Sequence, residues 1–126
     1  HYESIDAVFE SCIDSLLSAY QTSLHPLETY KIKQIATEFF LFWESKKSEL
    51  LLLKRYDEMR LSALLFQHGV SLVQNRSKKR LVLFSAYSTG GFLGMLDWWI
   101  AEDFRTPAQC VIEQFVQEAN LAFKHQ

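Results

Sequence analysis

A chain of 126 residues, 48% of them hydrophobic and with a net charge of -2, has the bulk to bury one core without disulfides or metal, and it carries no global attraction to nucleic acid. Four glycines and two prolines are too few to punctuate many short elements, so few, long elements are expected, which means helices. Cys12 and Cys110 stand far apart, with no CxxC spacing and no His at ligand spacing, which argues against a disulfide framework or a zinc site and makes a reducing cytosol the simplest compartment.

Ile5, Phe9, Ile13, Leu16 and Tyr20 recur at spacings of three and four while Glu3, Asp6, Glu10 and Asp14 line another face, the pattern of an amphipathic helix with an acidic side. Cys12 reads as a small core hydrophobe on this helix, as Cys110 does later. Gln21 to His25 is a polar break, after which Pro26 suits the first position of a second helix, with His25 as N-cap and Glu28 at N3. Ile32, Ile35, Ala36, Phe39 and Trp43 continue as one stripe, which Phe40 and Phe42 widen until the helix end is apolar almost all round. The polar, lysine-rich run Glu44 to Ser48 ends or kinks it. SELLLLKRYDEM then resumes as a short helix whose four leucines, 50 to 53, require cover on more than one side. Leu61, Leu64, Leu65, His68 and Leu72 make the next stripe, and NRSKKR, residues 75 to 80, reads as a basic, solvated turn.

LVLFSAYSTGGFLGMLDWWIAEDF, residues 81 to 104, is one long apolar helix that accepts Gly90, Gly91 and Gly94. Each glycine costs a helix about 1 kcal/mol relative to alanine, so something must come close to its backbone. TPAQ follows, with Thr106 as N-cap, Pro107 at N1 and Gln109 at N3 closing a capping box. The helix it opens runs to about Phe123, with Val111, Ile112, Phe115, Ala119, Ala122 and Phe123 on its apolar side. No stretch sustains period-two alternation between turn residues. The expected fold is all-α, a bundle of five to six helices forming one domain over residues 1–126.

Catalytic patterns are absent from this sequence. The residues three before His25, His68 and His125 are Thr22, Leu65 and Ala122, so the Glu-x-x-His pair of a carboxylate-bridged metal site does not occur. HExxH, Walker-type loops and the nucleophile elbow do not occur either, and Gly90-Gly91-x-x-Gly94 lacks the spacing and the preceding strand of a dinucleotide fingerprint. No enzyme activity, metal or cofactor is expected. His68 on an apolar stripe reads by default as a core histidine, and the aromatic cluster around Phe39 and Trp43 as core. Bulky rings in a small helical domain pack imperfectly, however, and can leave an apolar cavity between helices.

A membrane reading of residues 81–101 rests on a single charge, Asp97, and on the Gly90-x-x-x-Gly94 spacing. Against it stand Ser85, Ser88 and Thr89 and the several amphipathic helices elsewhere that need a partner for their apolar faces. The centre of a water-soluble bundle is the better place for a helix that is apolar all round. Such a helix needs cover on both sides, and the last helix also reads as more apolar than one contact requires. Two helices from each of two chains would then meet around a twofold axis, which makes a homodimer the expected state.

Ser88-Thr89-Gly90-Gly91-Phe92-Leu93-Gly94-Met95-Leu96-Asp97-Trp98-Trp99-Ile100, followed by Thr106-Pro107, resembles the signature near the end of the effector domain in one branch of the TetR (tetracycline repressor-like) family. FFLFWESKKSELLLLKRYDEM is similar to that family's aromatic helix, polar turn and short leucine-rich helix. The resemblance implies the ligand-binding and dimerisation domain of a bacterial transcriptional regulator, usually a repressor, whose helix-turn-helix domain would precede residue 1. This chain, which starts at His1 with no signal-peptide pattern, would then meet DNA only through that missing domain, and a small apolar effector would shift the dimer between arrangements it binds unequally. On that reading Phe39, Trp43, Leu65, His68 and Tyr87 line the effector cavity, with His68 and the Tyr87 hydroxyl as polar handles. The dimer face takes Gly90, Leu93, Gly94, Asp97, Trp98 and Ala101 from the long helix and Phe115, Ala119 and Phe123 from the last. The alternative is an interaction module whose aromatics are only core and which binds no small molecule.

Overall fold

The computed structural model describes the backbone of residues 4–23, 31–76 and 82–124, and their side chains except at 69–76, 82–90 and 122–124. Among the described residues five helices succeed one another: α1 (Ile5–Ser23), α2 (Ile32–Ser45), α3 (Lys47–Arg76), α4 (Val82–Ala101) and α5 (Ala108–Lys124). The fold is all-α, with no strand among the described residues. The proposed cap at His25, Pro26 and Glu28 lies outside them, as do residues 77–81 of the basic turn and the start of the long helix.

Local chemistry sets the helix boundaries. Ser4 starts α1, its Oγ accepting the Ala7 N–H at 3.1 Å. A single residue, Lys46, separates α2 from α3; its N–H donates to Trp43 O at 3.1 Å, and its own carbonyl accepts the Leu50 N–H at 3.0 Å to begin the next helix. Asp57 interrupts α3 with an extended backbone (φ -161, ψ 92), and its Oδ1 accepts the Arg60 N–H at 3.1 Å. It is therefore an N-cap inside the run, and α3 is two helices joined end to end. Arg60 then ties the second of these to α1, pairing with Asp6 at 3.3 Å and Glu10 at 3.4 Å beside the Phe9 ring.

The end of α4 is a Schellman turn without glycine. Asp103 (φ 60) and Phe104 (φ 58) are both left-handed; the Asp103 N–H donates to Ile100 O at 3.0 Å and the Phe104 N–H to Trp99 O at 2.9 Å. The Phe104 ring packs on Trp99 at 4.7 Å, the hydrophobic contact that accompanies this motif. The apolar run 81–104 thus stops as a helix at Ala101. The capping box expected at Thr106 and Gln109 is replaced: the Thr106 N–H donates to Glu102 Oε1 at 2.8 Å, and Gln109 donates to Glu113 at 3.0 Å instead. The Thr106 carbonyl is taken by the Trp99 indole at 2.8 Å, so the first helical acceptor is Pro107, whose carbonyl receives the Val111 N–H at 3.2 Å.

The core lies where α2 meets α4 and α5, with α1 closing it over α3. Phe39 and Phe40 of α2, Phe92 and Trp99 of α4 and Phe115 of α5 form one aromatic body, and Phe92 stacks on Phe115 at 4.2 Å. Four sequence expectations shift here. Ile5 opens its stripe but stands 63% exposed at the start of α1, before cover begins at Phe9. Cys12 and Cys110 are exposed rather than buried, because each precedes the core residue of its turn, Ile13 and Val111, and lies off the buried stripe. Of the four leucines, Leu50 and Leu53 are buried and Leu51 half-buried, while Leu52 points out at 68% exposure.

Candidate functional site

Three places hold the residues that the sequence singles out. The first is the interior beside α2. Phe39, Trp43 and Leu65 are all buried. Trp43 sits among Tyr20 at 5.7 Å, Phe39 at 6.3 Å and Phe42 at 5.0 Å, and its indole Nε1 has no hydrogen-bond partner. A buried N–H donor left unmet costs about 1–3 kcal/mol. His68 does not join the cluster. It is exposed, off the buried stripe that Leu61, Leu64 and Leu65 make on the second half of α3. The Tyr87 side chain lies outside the described residues.

The second place is α4, where the structure divides the expected dimer face. Leu93, Phe115 and Ala119 are buried within the chain itself and cannot meet a partner without opening its core. The apolar side of α5 faces α2 and α4, and its outer side carries Gln109, Glu113, Gln114, Gln117 and Glu118, all exposed. The outer side of α4 differs: Gly94 and Ala101 are exposed, Trp98 is 47% exposed, and Asp97 is half-buried at its edge. The Gly90 and Phe123 side positions lie outside the described ones. The glycines have separate roles. A Cβ on Gly91 would meet Phe115 Cε2 at 3.2 Å, so this glycine admits a ring of the same chain, whereas a Cβ on Gly94 would meet nothing within 4 Å.

The third place, which sequence reasoning missed, is the corner after α4. The largely buried Lys54 ammonium aims its three donors at Ile100 O (3.0 Å), Ala101 O (2.9 Å) and Asp103 Oδ1 (2.8 Å), with Glu58 at 3.5 Å. It caps the negative end of α4. The hydrogen bond from Lys54 holds the Asp103 carboxyl below its ordinary range, and the same bond raises Lys54 above its own. No local pattern could reveal this cap, because Lys54 and the carbonyls it meets lie 46 and 47 residues apart.

Beside this corner a half-open groove of about 390 Å³ runs between α3 and α4, and a second of about 370 Å³ lies between α1 and the first half of α3. Among the described residues no three His, Cys, Asp or Glu side chains gather as metal ligands, and no helix is long and apolar enough to cross a membrane. No family model, curated protein or solved structure matches this chain.

Proposed function

We propose that the chain is the regulatory domain of a TetR-like bacterial transcriptional regulator, homodimerising through the outer face of α4 and taking up a small apolar effector. The observation that carries this reading is the uncovered side of α4. Among its described side positions, 91–101, this apolar helix is packed by its own chain on one side, and Gly94, Trp98 and Ala101 are left in the open. Small residues beside a large ring let a second backbone approach closely while the ring fills the gap, which suits an isologous contact. The resemblance of this segment to the TetR signature supplies the rest, including a DNA-binding domain that would stand before residue 1. With its net charge of -2, this chain would bind operator DNA only through that domain.

The effector part is supported by the unpartnered Trp43 N–H, which an apolar molecule carrying one acceptor would satisfy. One observation favours the alternative of a dimerisation module without a ligand: Phe39, Phe40, Phe92 and Phe115 interlock at 4.2 to 5.8 Å between centroids, as a filled core does. Sedimentation velocity and native mass spectrometry test both parts. The expected result is a dimer that Gly94→Leu and Trp98→Ala push toward monomer, with a bound small molecule as excess mass. A monomer at all concentrations ends the dimer reading. A dimer without excess mass, whose Trp43 indole signal ignores a panel of apolar acceptors, leaves the module alone.

A further inference from the structure

We propose that the groove between the second half of α3 and the end of α4 binds a small organic cation with an apolar body, such as a protonated alkylamine. Its volume of about 390 Å³ falls in the range of small-molecule sites, about 300–1,000 Å³. Leu61 and Ile100 make an apolar floor, Met59 stands over it at 84% exposure, and Ser62 offers a hydroxyl. Among the described residues the charges that line it are both negative, Glu58 and Asp97, with no Lys or Arg beside them.

Asp97 is the deciding group. It is half-buried, and among the described residues it makes no hydrogen bond or ion pair, whereas Lys54, Glu58, Glu102 and Asp103 at this corner each have a partner close by. A carboxylate at the edge of an apolar groove attracts a cation that the groove can seat beside it. Lys54 makes no ion pair with Asp97, because its three donors are turned to Ile100, Ala101 and Asp103. Glu58, which Lys54 approaches only at 3.5 Å, lends the groove a second negative charge. An occupant must then combine a positive head with an apolar body to match the floor. The α1–α3 groove shows no such preference, since Lys46 and Glu49 line it with opposite signs. The site is built by one chain and does not rest on the regulator reading, although its Ala101 wall is shared with the proposed dimer face, so the amine and a second copy would compete for it.

The test titrates hexylammonium, hexan-1-ol and hexanoate into the full 126-residue chain labelled with nitrogen-15, following backbone amides by NMR. Hexylammonium is expected to give saturable shifts at Ser62, Ala63 and Ala101, with affinity reduced about tenfold by Asp97→Asn and less by Glu58→Gln. Because Asp97 has no hydrogen bond or ion pair to lose among the described residues, Asp97→Asn is expected to keep the thermal midpoint, which separates lost recognition from lost fold. Equal binding of hexan-1-ol, unchanged affinity in both variants, or shifts centred elsewhere would overturn the proposal. Groove amides that report a second copy of the chain in place of the amine would overturn it too. Dimer affinity is measured separately by sedimentation, so failure here is distinguishable from failure of the dimer.

Discussion

The two sides of α4 draw on the same kinds of residue and end in opposite states. Facing inward, Phe92, Leu96 and Trp99 are buried to 2% exposure or less, and even Gly91 is filled by the Phe115 ring. Facing outward, another aromatic and another glycine, Trp98 and Gly94, meet nothing comparable. Residue type therefore does not tell structure from function on this helix; contact does. Where rings mesh, a side chain already serves the fold, and where they do not, it is available to something outside the chain.

The sharpest way to break this contrast is to delete one ring from each side. Phe40→Ala removes a fully buried ring that touches Phe92, Trp99 and Phe115, and is expected to cost about 3–5 kcal/mol in urea denaturation of the monomer. Trp98→Ala is expected to change monomer stability by less than about 0.5 kcal/mol while weakening the dimer. A large monomer loss at Trp98 would show that the outer side is not free. The glycines give the next contrast. Gly91→Leu forces side-chain atoms into the Phe115 ring and is expected to destabilise by about 1–3 kcal/mol. Gly94→Ala, with open space around its Cβ, is expected to gain up to about 1 kcal/mol from helix propensity. Gains at both positions would remove the assignment of Gly91 to ring packing.

Much of the first side was legible in sequence and little of the second. The stripes Phe9–Ile13–Leu16–Tyr20 and Val111–Ile112–Phe115–Ala119 are buried as their periodicity requires, because spacing alone fixes which face of a helix is apolar. A helix that is apolar all round carries no such information, so the orientation of α4 had to come from its neighbours. Leu93, which helical spacing places on the dimer face, is instead inward at 4% exposure. Helical spacing places Phe115 and Ala119 on the apolar side of α5 without saying which neighbour covers it, and both are buried within the chain, Phe115 against Phe40 of α2 and Phe92 of α4. Asp57 as an internal N-cap and Asp103 at the glycine position of a Schellman turn left only weak signals, since Asp is common in exposed helix positions too.

Lys54 fixes the end of α4 in place and so keeps its two sides distinct. Lys54→Met is expected to lower the thermal midpoint by less than the core deletions do, and the pH dependence of that loss identifies its cause. With Asp103 held below the ordinary carboxylate value of 3.8, its pairing contributes fully above that value and is lost as pH falls through the lowered one. With Lys54 raised above 10.5, its contribution is complete below 10.5 and is lost as pH rises through the raised value. The difference between wild type and Lys54→Met is therefore expected to stay flat from about pH 5 to 9 and to shrink only toward both extremes. A difference that varies near neutral pH would assign the effect to another group.

The smallest effect is expected at Asp103, where two contributions oppose each other. Its left-handed backbone (φ 60) favours glycine, while its carboxylate holds Lys54 at 2.8 Å. Asp103→Gly gives up the ion pair but relieves the backbone, so its thermal midpoint is expected to stay close to that of wild type. Asp103→Ala gives up the ion pair and keeps the unfavourable backbone, and is expected to melt below Asp103→Gly. Both variants leave Lys54 its two carbonyl acceptors, Ile100 and Ala101, so each should melt above Lys54→Met. If Asp103→Gly melted as low as Lys54→Met, the ion pair rather than the carbonyl cap would be what holds the end of α4. The orientation of its outer face would then depend on one exposed carboxylate.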